Sequence, residues 1–443
     1  MRTDVWIDTL DRKTHLNTTR QTIDSRRNFL YRIAAAGFVA SCQPRLRAFE
    51  IPISGVESPL TVSIDRGVVA FMDKHQVPGA SIAISYSGKL LYARGFGIKD
   101  RSDPAAVTTN SLFRIASLSK PITAVAILQL IQNKKLKLED RVCDVLGLAS
   151  PTDVRWNNIT VHQLLHHTGG WDSMASSDPM FSFHRIAKER SATLPLGHRD
   201  VIDFMLTQPL DFEPGSRYSY SNFGYCLLGR IIERQSGQSY ESFVQENIFK
   251  PIGISTARLG RTLRADRLPD EVVYHDEVDR KAVPVVATTE TQVSWPYGAS
   301  DLSAMDSHGG WVATASELVR FASAFDDPKR SKLLTQKSID EMFAIPKLGV
   351  EGTSAEVGYG CGWQIRQLAN GRFNTWHNGE LPGTSALMVR RHDGFCWAVL
   401  FNARADNTGT YLPSLFDPLM HAFVDEVKRW PKKDLFRETL KPQ

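Results

Sequence analysis

Residues 113–121 have the sequence FRIASLSKP, which places Ser117 three positions before Lys120. Side chains three positions apart lie on one face of a helix, so the amine of Lys120 can reach the hydroxyl of Ser117. A serine hydroxyl is a weak nucleophile until a neighbouring base takes its proton. A lysine can be that base when burial or nearby positive charge lowers its pKa. Taken alone, the same pair also fits a serine that caps a helix beside a surface lysine.

The apolar run from Ile122 to Ile131 predicts a helix that begins close to Ser117. Pro121 is compatible with this helix, because the N–H groups of a first turn have no partner within the helix. Free backbone N–H groups and the positive end of the helix dipole would therefore face Ser117. Such a position suits a developing oxyanion.

Length and charge set broad limits on the function. The chain has 443 residues, 42% of them hydrophobic and 23% charged, which is an ordinary globular composition. The formal net charge is +5, and most of the basic excess lies within the first 41 residues. The balance therefore predicts no nucleic-acid partner. No apolar run approaches the roughly 20 residues that span a bilayer.

The first part of the chain resembles an export signal, and we expect residues 1–48 to be a leader. Arg26 and Arg27 precede a short apolar stretch, residues 33–40, as in twin-arginine signals. Residues 39–42 also resemble a lipoprotein processing box that would make Cys42 a lipid anchor, and a cut near Ala48 is the alternative. The expected location is the periplasm or cell envelope.

The other four cysteines and a histidine pair give no metal or redox signal. Cys143, Cys226, Cys361 and Cys396 are widely spaced, so buried free thiols are the favoured state, and disulfide pairing stays open. His162 and His166 are four positions apart, but no third ligand accompanies them. We therefore predict neither a metal nor a cofactor.

The pattern of elements predicts an α+β fold, in which an antiparallel sheet built from the two ends of the chain is flanked by helices and carries an inserted, mainly helical domain. A helix is expected at 60–75, a hairpin at 80–86 and 90–95, and three strands near the end at 361–366, 385–390 and 396–402. The domain would span 55–430, with 55–120 and 305–430 forming the α/β part and 121–304 the helical part. The polar segment 172–198 is expected to be a long loop.

Two later motifs change the interpretation of Ser117. Tyr220-Ser221-Asn222 and His377-Asn378-Gly379 follow it, the latter continuing into Glu380. Ser-x-x-Lys, Tyr-x-Asn and His-x-Gly in this order resemble the serine β-lactamase and penicillin-binding protein superfamily, most closely its class C-like branch, which includes family VIII esterases and D-aminopeptidases. The segments 160–170 and 309–318 resemble further elements of that branch, and the resemblance covers about 77–402.

The resemblance implies a β-lactamase/transpeptidase-like fold and a role for each motif residue. Ser117 would form an acyl-enzyme, and Tyr220 would be the general base, its pKa lowered by Lys120, with the two groups sharing one proton. Asn222 would contact Lys120 or the substrate. His377 would give a pH-dependent positive charge where lactamases usually have lysine.

The oxyanion hole and the reaction class follow from the same resemblance. The N–H groups of Ser117 and Glu380 would bind the oxyanion, next to Gly379. The expected function is an exported serine hydrolase of an ester, an amide or a D-amino-acid peptide.

Several alternatives remain at this point. The sequence has no Gly-x-Ser-x-Gly elbow and no His-Glu-x-x-His, which argues against an α/β-hydrolase and a zinc protease. It also has no Glu-x-x-Leu-Asn segment, so efficient β-lactam hydrolysis is less favoured. A penicillin-binding sensor that is acylated without turnover, and an acyltransferase, stay open. The identity of the small-molecule substrate and the oligomeric state are not predicted.

Overall fold

The main sheet of this protein, in the computed structural model, combines strands from both ends of the chain. The structure describes residues 50–149, 151–286, 291–347 and 357–437. The expected leader, 1–48, with its Arg26–Arg27 pair and Cys42, lies outside the described residues. The described residues from Ile51 onward belong to one compact unit.

The strands fall into one large sheet and two small ones. In chain order they are β1 (Ile53–Gly55), β2 (Gly79–Tyr86), β3 (Lys89–Asp100), β4 (Asp103–Ala106), β5 (Phe113–Arg114), β6 (Arg258–Leu259), β7 (Lys281–Ala282), β8 (Val293–Ser294), β9 (Trp311–Ala313), β10 (Val357–Tyr359), β11 (Gln364–Gln367), β12 (Phe373–Leu381), β13 (Thr384–Arg390) and β14 (Phe395–Phe401). The large sheet has the order β1-β3-β2-β14-β13-β12-β11-β10, with β4 on β3, and every pairing is antiparallel.

Helices cover both faces of the large sheet. In chain order they are α1 (Val62–His75), α2 (Ser119–Gln132), α3 (Val142–Leu146), α4 (Val161–Leu165), α5 (Ser173–Ser176), α6 (Phe183–Arg190), α7 (His198–Met205), α8 (Asn222–Ser236), α9 (Tyr240–Val244), α10 (Lys250–Ile252), α11 (Ala315–Ser323), α12 (Gln336–Met342) and α13 (Leu412–Glu426). Between Pro121 and residue 304 the described strands are only two residues long, so this part is mainly helical. The predicted fold class is confirmed.

The period of the central strand β14 explains why the sheet has two buried faces. Trp397, Val399 and Phe401 pack with α1 and α13, while the intervening Ala398 and Leu400 pack on the opposite face. Successive side chains of a strand point to opposite faces, so this strand contributes to both cores. Its sequence accordingly lacks the alternation of polar and apolar residues that marks a strand with one wet face.

Helix α2 is the central helix of the second core, and it positions the Ser117 motif. Every residue from Ser119 to Leu130 is buried, as expected for a helix that is apolar on all sides. It packs against α8, α9 and α12. Lys120 is therefore enclosed by the fold rather than displayed on a surface.

One expectation about secondary structure is wrong, and one strand was missed. The segment 172–198 is not a long loop: it contains α5, a 3₁₀ turn at Pro179–Phe181 and α6. Asp172 and Asp178 cap the first two of these elements through backbone N–H groups, and such short capped turns carry little periodicity. Strand β12 was not predicted, because three of its buried positions hold Thr375, His377 and Gly379 rather than apolar side chains.

Several smaller expectations are confirmed. The hairpin at 80–95 corresponds to β2 and β3, and the two last strands correspond to β13 and β14. The first of the three late strands begins at Gln364 rather than 361, after Gly362 at φ +79°. The four cysteines outside the leader are buried free thiols. None of the helices within the described ranges is both long enough and apolar enough to cross a membrane.

Candidate active site

Ser117 lies in a short 3₁₀ turn, Ala116–Leu118, that runs directly into α2. Ala116 has φ +48°, a left-handed conformation that costs an L-residue about 1 kcal/mol. The close passage of β12 holds this turn: a Cβ added to Gly379 would lie 2.2 Å from the Ile115 carbonyl oxygen. Ser117 itself is partly exposed, so its hydroxyl can meet a substrate.

Lys120 is completely buried beneath Ser117 and makes three polar contacts. Its Nζ lies 3.0 Å from Ser117 Oγ, 2.6 Å from Asn222 Oδ1 and 2.9 Å from the His308 carbonyl oxygen. Burial lowers the pKa of Lys120 well below its usual 10.5, and the more distant Asp178 offsets only part of this shift.

The three neighbours of Lys120 Nζ match the donors and the acceptor of a neutral amine. A neutral lysine has two N–H donors and one lone pair, whereas an ammonium has three donors. The oxygens of Asn222 and His308 can only accept, so they take the two N–H groups. The lone pair is then left for the O–H of Ser117. In its neutral form, which burial favours, Lys120 can therefore accept the proton of Ser117.

Tyr220 also reaches Ser117, from the segment just before α8. Burial raises the pKa of Tyr220 well above 10, and its hydrogen bond with Ser117 lowers it by less. Lys120 Nζ faces the ring, 4.7 Å from its centroid. The expectation of a lowered pKa at Tyr220 is therefore wrong, because burial raises it. The neutral phenol is the favoured form of this side chain.

Asn222 connects Lys120 to a carboxylate that the sequence did not indicate. Its Nδ2 donates to Asp178 Oδ2 at 2.7 Å, which directs Oδ1 toward Lys120. Asp178 also accepts the Met180 N–H at 2.9 Å. Burial raises the pKa of Asp178, with Asn222, Met180 and Lys120 acting in the opposite direction. The only sequence signal was a capping aspartate before Pro179.

His377 is buried on β12 and uncharged. Tyr359 donates its O–H to Nε2 at 3.0 Å, and Nδ1–H donates to the Asn378 carbonyl oxygen at 2.7 Å. Burial first, then Lys120, lowers its pKa to about 3. The expectation of a pH-dependent positive charge here is wrong. A buried ring with both nitrogens in hydrogen bonds gains little from a proton.

Gly379 and Glu380 follow His377 along the edge of the site. Tyr411 donates its O–H to the Gly379 carbonyl oxygen at 2.9 Å, which ties β12 to the start of α13. The exposed carboxylate of Glu380 pairs with Arg404 Nε at 2.6 Å. The assignment of the Ser117 and Glu380 N–H groups as oxyanion donors remains a prediction.

The comparisons with known proteins agree with this geometry. The family model described as Beta-lactamase matches residues 64–412. The chain is 30% identical to penicillin-binding protein 4* of Bacillus subtilis (strain 168), over 72% of this chain and 67% of that protein. It is 26% identical to penicillin-binding protein 4 of Amycolatopsis lactamdurans, over 84% and 92%.

One solved structure illustrates the similarity of the fold. The D-amino acid amidase of Ochrobactrum anthropi SV3, complexed with D-phenylalanine, superposes with a TM-score of 0.64 at 21% identity, covering 83% of this chain and 100% of that chain.

The chain belongs to the beta-lactamase family. The family pattern explains why Ser117, Lys120, Tyr220 and Asn222 meet at one place. It does not include Asp178, Tyr359 or the His308 carbonyl, which the structure adds to the site. The rings of His162 and His166 contact each other in a tilted arrangement, with centroids 4.3 Å apart, and the described residues contain no group of three or more metal-ligating side chains.

A neutral buried His377 predicts acid-dependent stability. The unfolded chain binds a proton at this residue below its ordinary pKa of 6.5, whereas the folded protein does so only near pH 3. Between these values unfolding takes up one proton, so the free energy of unfolding falls as the pH is lowered. From pH 7.5 to pH 5 this single group accounts for about 2 kcal/mol.

The comparison variant is His377→Gln, which can still accept from Tyr359. Chemical denaturation at pH 7.5 and pH 5 should show a smaller loss of stability in the variant than in the wild type, by about 2 kcal/mol. Equal losses in the two proteins would show that His377 is not held neutral.

Proposed function

We propose that this protein is a serine hydrolase that forms an acyl-enzyme on Ser117 and cleaves the amide, peptide or ester bond of D-amino-acid substrates with a free amino group. The observation that carries the chemistry is the contact of Lys120 Nζ with Ser117 Oγ, at 3.0 Å, in a fully buried setting. Family membership supports a serine hydrolase in general, and the substrate is the part that is inferred.

Acylation begins with transfer of the Ser117 proton to Lys120 Nζ as Oγ bonds to the substrate carbonyl carbon. The carbonyl oxygen becomes an oxyanion, which the N–H groups of Ser117 and Glu380 would stabilise by about 3 kcal/mol each. Tyr220 then protonates the departing amine or alcohol, and the proton held by Lys120 restores the phenol. Deacylation runs the same transfers with water as the nucleophile.

The position of Asp178 supports the proposal that the substrate carries a positive charge. Among the described residues its oxygens receive hydrogen bonds from the neutral donors Asn222 Nδ2 and Met180 N–H. It is partly exposed, and it lies one side chain away from Lys120. A substrate ammonium there would supply the full positive charge that this carboxylate lacks. The amidase of similar fold, complexed with D-phenylalanine, suggests that the ammonium belongs to a D-amino acid.

The substrate proposal is tested with D-alanine p-nitroanilide and its N-acetyl derivative. Asp178→Asn should raise the KM for the free amine about 10- to 100-fold, because a charge-assisted hydrogen bond is worth about 1.5–3 kcal/mol. The KM for the N-acetyl substrate should change much less, because the new amide oxygen can still accept from Asn222 and this substrate has no ammonium to lose its partner. Asp172→Asn, a capping aspartate of the preceding turn, is the matched control.

Three outcomes would contradict the proposal. Equal effects of Asp178→Asn on both substrates would show that Asp178 does not bind the substrate ammonium. An active Ser117→Ala variant would show that Ser117 is not the nucleophile. A penicillin adduct on Ser117 that persists, with no hydrolysis of any anilide or ester, would favour the alternative of a sensor that is acylated without turnover.

The proton roles are tested by the leaving group. p-Nitrophenolate departs without protonation, whereas an anilide nitrogen must be protonated. Tyr220→Phe should therefore slow anilide hydrolysis about 100-fold or more, within the range of general acid catalysis, and slow a p-nitrophenyl ester less than about tenfold. Lys120→Met should slow both about 1,000-fold or more. Tyr218→Phe is the control tyrosine. If Tyr220→Phe slowed both substrates equally, the general base would have to be assigned to Tyr220 instead of Lys120.

Export is proposed on the sequence of the leader alone. Arg26 and Arg27 precede a weakly apolar stretch, as in twin-arginine signals, and Cys42 would become a lipid anchor if the lipoprotein box is used. Replacing both arginines by lysine should leave the precursor in the cytoplasm, measured by fractionation and immunoblotting. Normal export of the double variant would exclude the twin-arginine route.

A further inference from the structure

His167 is a buried residue of the 160–170 segment to which no role has been assigned above. It follows α4, is 1% exposed and has φ +56°. Residues other than glycine are uncommon at positive φ, although asparagine, aspartate and histidine occur there more often than the others. A strained, buried and polar residue next to a reactive centre calls for a physical explanation.

Its contacts lie on both sides of Tyr220. The carbonyl oxygen of His167 accepts the Ser219 N–H at 2.9 Å, and its Nδ1 accepts the Ser221 N–H at 3.1 Å. The imidazole also packs on the ring of Tyr220, with centroids 4.3 Å apart. The backbone before Tyr220, the backbone after it and the ring itself are thus all held by one residue.

The hydrogen-bond pattern fixes the state of the ring. Because a backbone N–H can only donate, Nδ1 must be the acceptor, and the ring proton is on Nε2. Nε2 has no hydrogen-bond partner among the described residues. Burial lowers the pKa of His167 well below 6.5. The ring therefore stays neutral through the range in which the enzyme would be assayed.

The consequence extends to the start of α8. Ser221, which His167 holds through its N–H, caps this helix by accepting the Gly224 N–H at 3.1 Å. The next residue is Asn222, whose Oδ1 accepts from Lys120. Ser221 lies between Tyr220 and Asn222 in the chain. A shift of its backbone would therefore move both the tyrosine that contacts Ser117 and the asparagine that contacts Lys120.

We propose that His167 is a positioning residue that sets the hydroxyl of Tyr220 against Ser117 by fixing the backbone on both sides of Tyr220. The inference rests on the proposed function, since it assumes that Tyr220 moves a proton. His167 itself exchanges no proton with the substrate.

Two variants distinguish the role of His167 as a hydrogen-bond acceptor from its role as an aromatic ring that packs on Tyr220. In His167→Asn, Oδ1 takes the approximate place of Nδ1, and asparagine tolerates a positive φ. His167→Phe keeps an aromatic ring but leaves the Ser221 N–H buried without a partner. Both variants lose stability, the first from lost packing and the second from the orphaned donor and the strain. Stability alone therefore does not distinguish them.

The expected result is a difference in kcat. For the best anilide substrate, His167→Asn should retain kcat within about fivefold of the wild type, whereas His167→Phe should lose about 100-fold with KM changed less than about threefold, as for a displaced reacting group. The pH profile of His167→Asn should superimpose on that of the wild type. Both are measured below the unfolding transition of each variant.

A double-mutant cycle identifies the residue through which His167 acts. In a Tyr220→Phe background, His167→Phe should reduce kcat less than about threefold further, because the hydroxyl that it positions is already absent. A full 100-fold further loss would show that His167 acts elsewhere. An inactive His167→Asn variant, or a shifted pH profile, would contradict the acceptor role.

Labelling of Ser117 by a fluorophosphonate, read by intact mass, separates two kinds of failure. A wild-type protein that is not labelled at Ser117 would contradict the proposed function, and this inference with it. A wild-type protein that is labelled and hydrolyses the anilide, but whose variants do not follow the expected order, would contradict the role of His167 alone.

Discussion

The site depends on enclosing one lysine amine with two acceptors and one hydroxyl. Lys120 is buried on a helix that is itself buried on all sides. In a low-dielectric environment an unpaired ammonium is costly, and no carboxylate lies within salt-bridge distance of Nζ in the described part of the chain. The neutral amine is the favoured form, and its remaining lone pair faces Ser117. The fold thus favours the neutral form of this residue, which is the form that a general base requires.

The neighbouring elements keep that geometry in place from three directions. Strand β12 approaches the Ser117 turn at Gly379, where any side chain would collide with the Ile115 carbonyl. The start of α8 brings Asn222 to the amine, and the loop before β9 brings the His308 carbonyl. Each contact comes from a different part of the chain, separated from Lys120 by between about a hundred and two hundred and sixty residues. The active site is therefore a property of the assembled fold.

The sequence predicted the parts of the site that depend on local spacing or on a family pattern. Ser117 and Lys120 share a helix face, which three residues of sequence establish. Tyr220, Asn222 and His377 were assigned only through the resemblance, and the structure places all three near Lys120. The α+β class followed from strands at both ends of the chain. The pattern did not predict strand β12, because three of its buried positions hold polar or small residues.

The sequence could not predict the charge states, because they depend on burial and on distant partners. The sequence predicts a lowered pKa for Tyr220, whereas the pKa is raised, and it predicts a pH-dependent positive charge on His377, whereas the buried ring is neutral. In both cases desolvation is the largest cause of the shift, and desolvation is set by how the chain packs. Asp178 and Tyr359 were missed for a related reason. Each reaches the site from a segment whose own sequence has no motif.

The protonation state of Lys120 is the central claim, and it can be measured directly. In protein labelled with 13C at lysine Cε, the Lys120 signal is assigned from its absence in Lys120→Met, and its chemical shift is followed as the pH is varied. A midpoint well below 10.5, clearly separated from the exposed lysines, is the predicted result. Titration of Lys120 together with the exposed lysines would contradict the account, because the amine would then be a cation throughout catalysis.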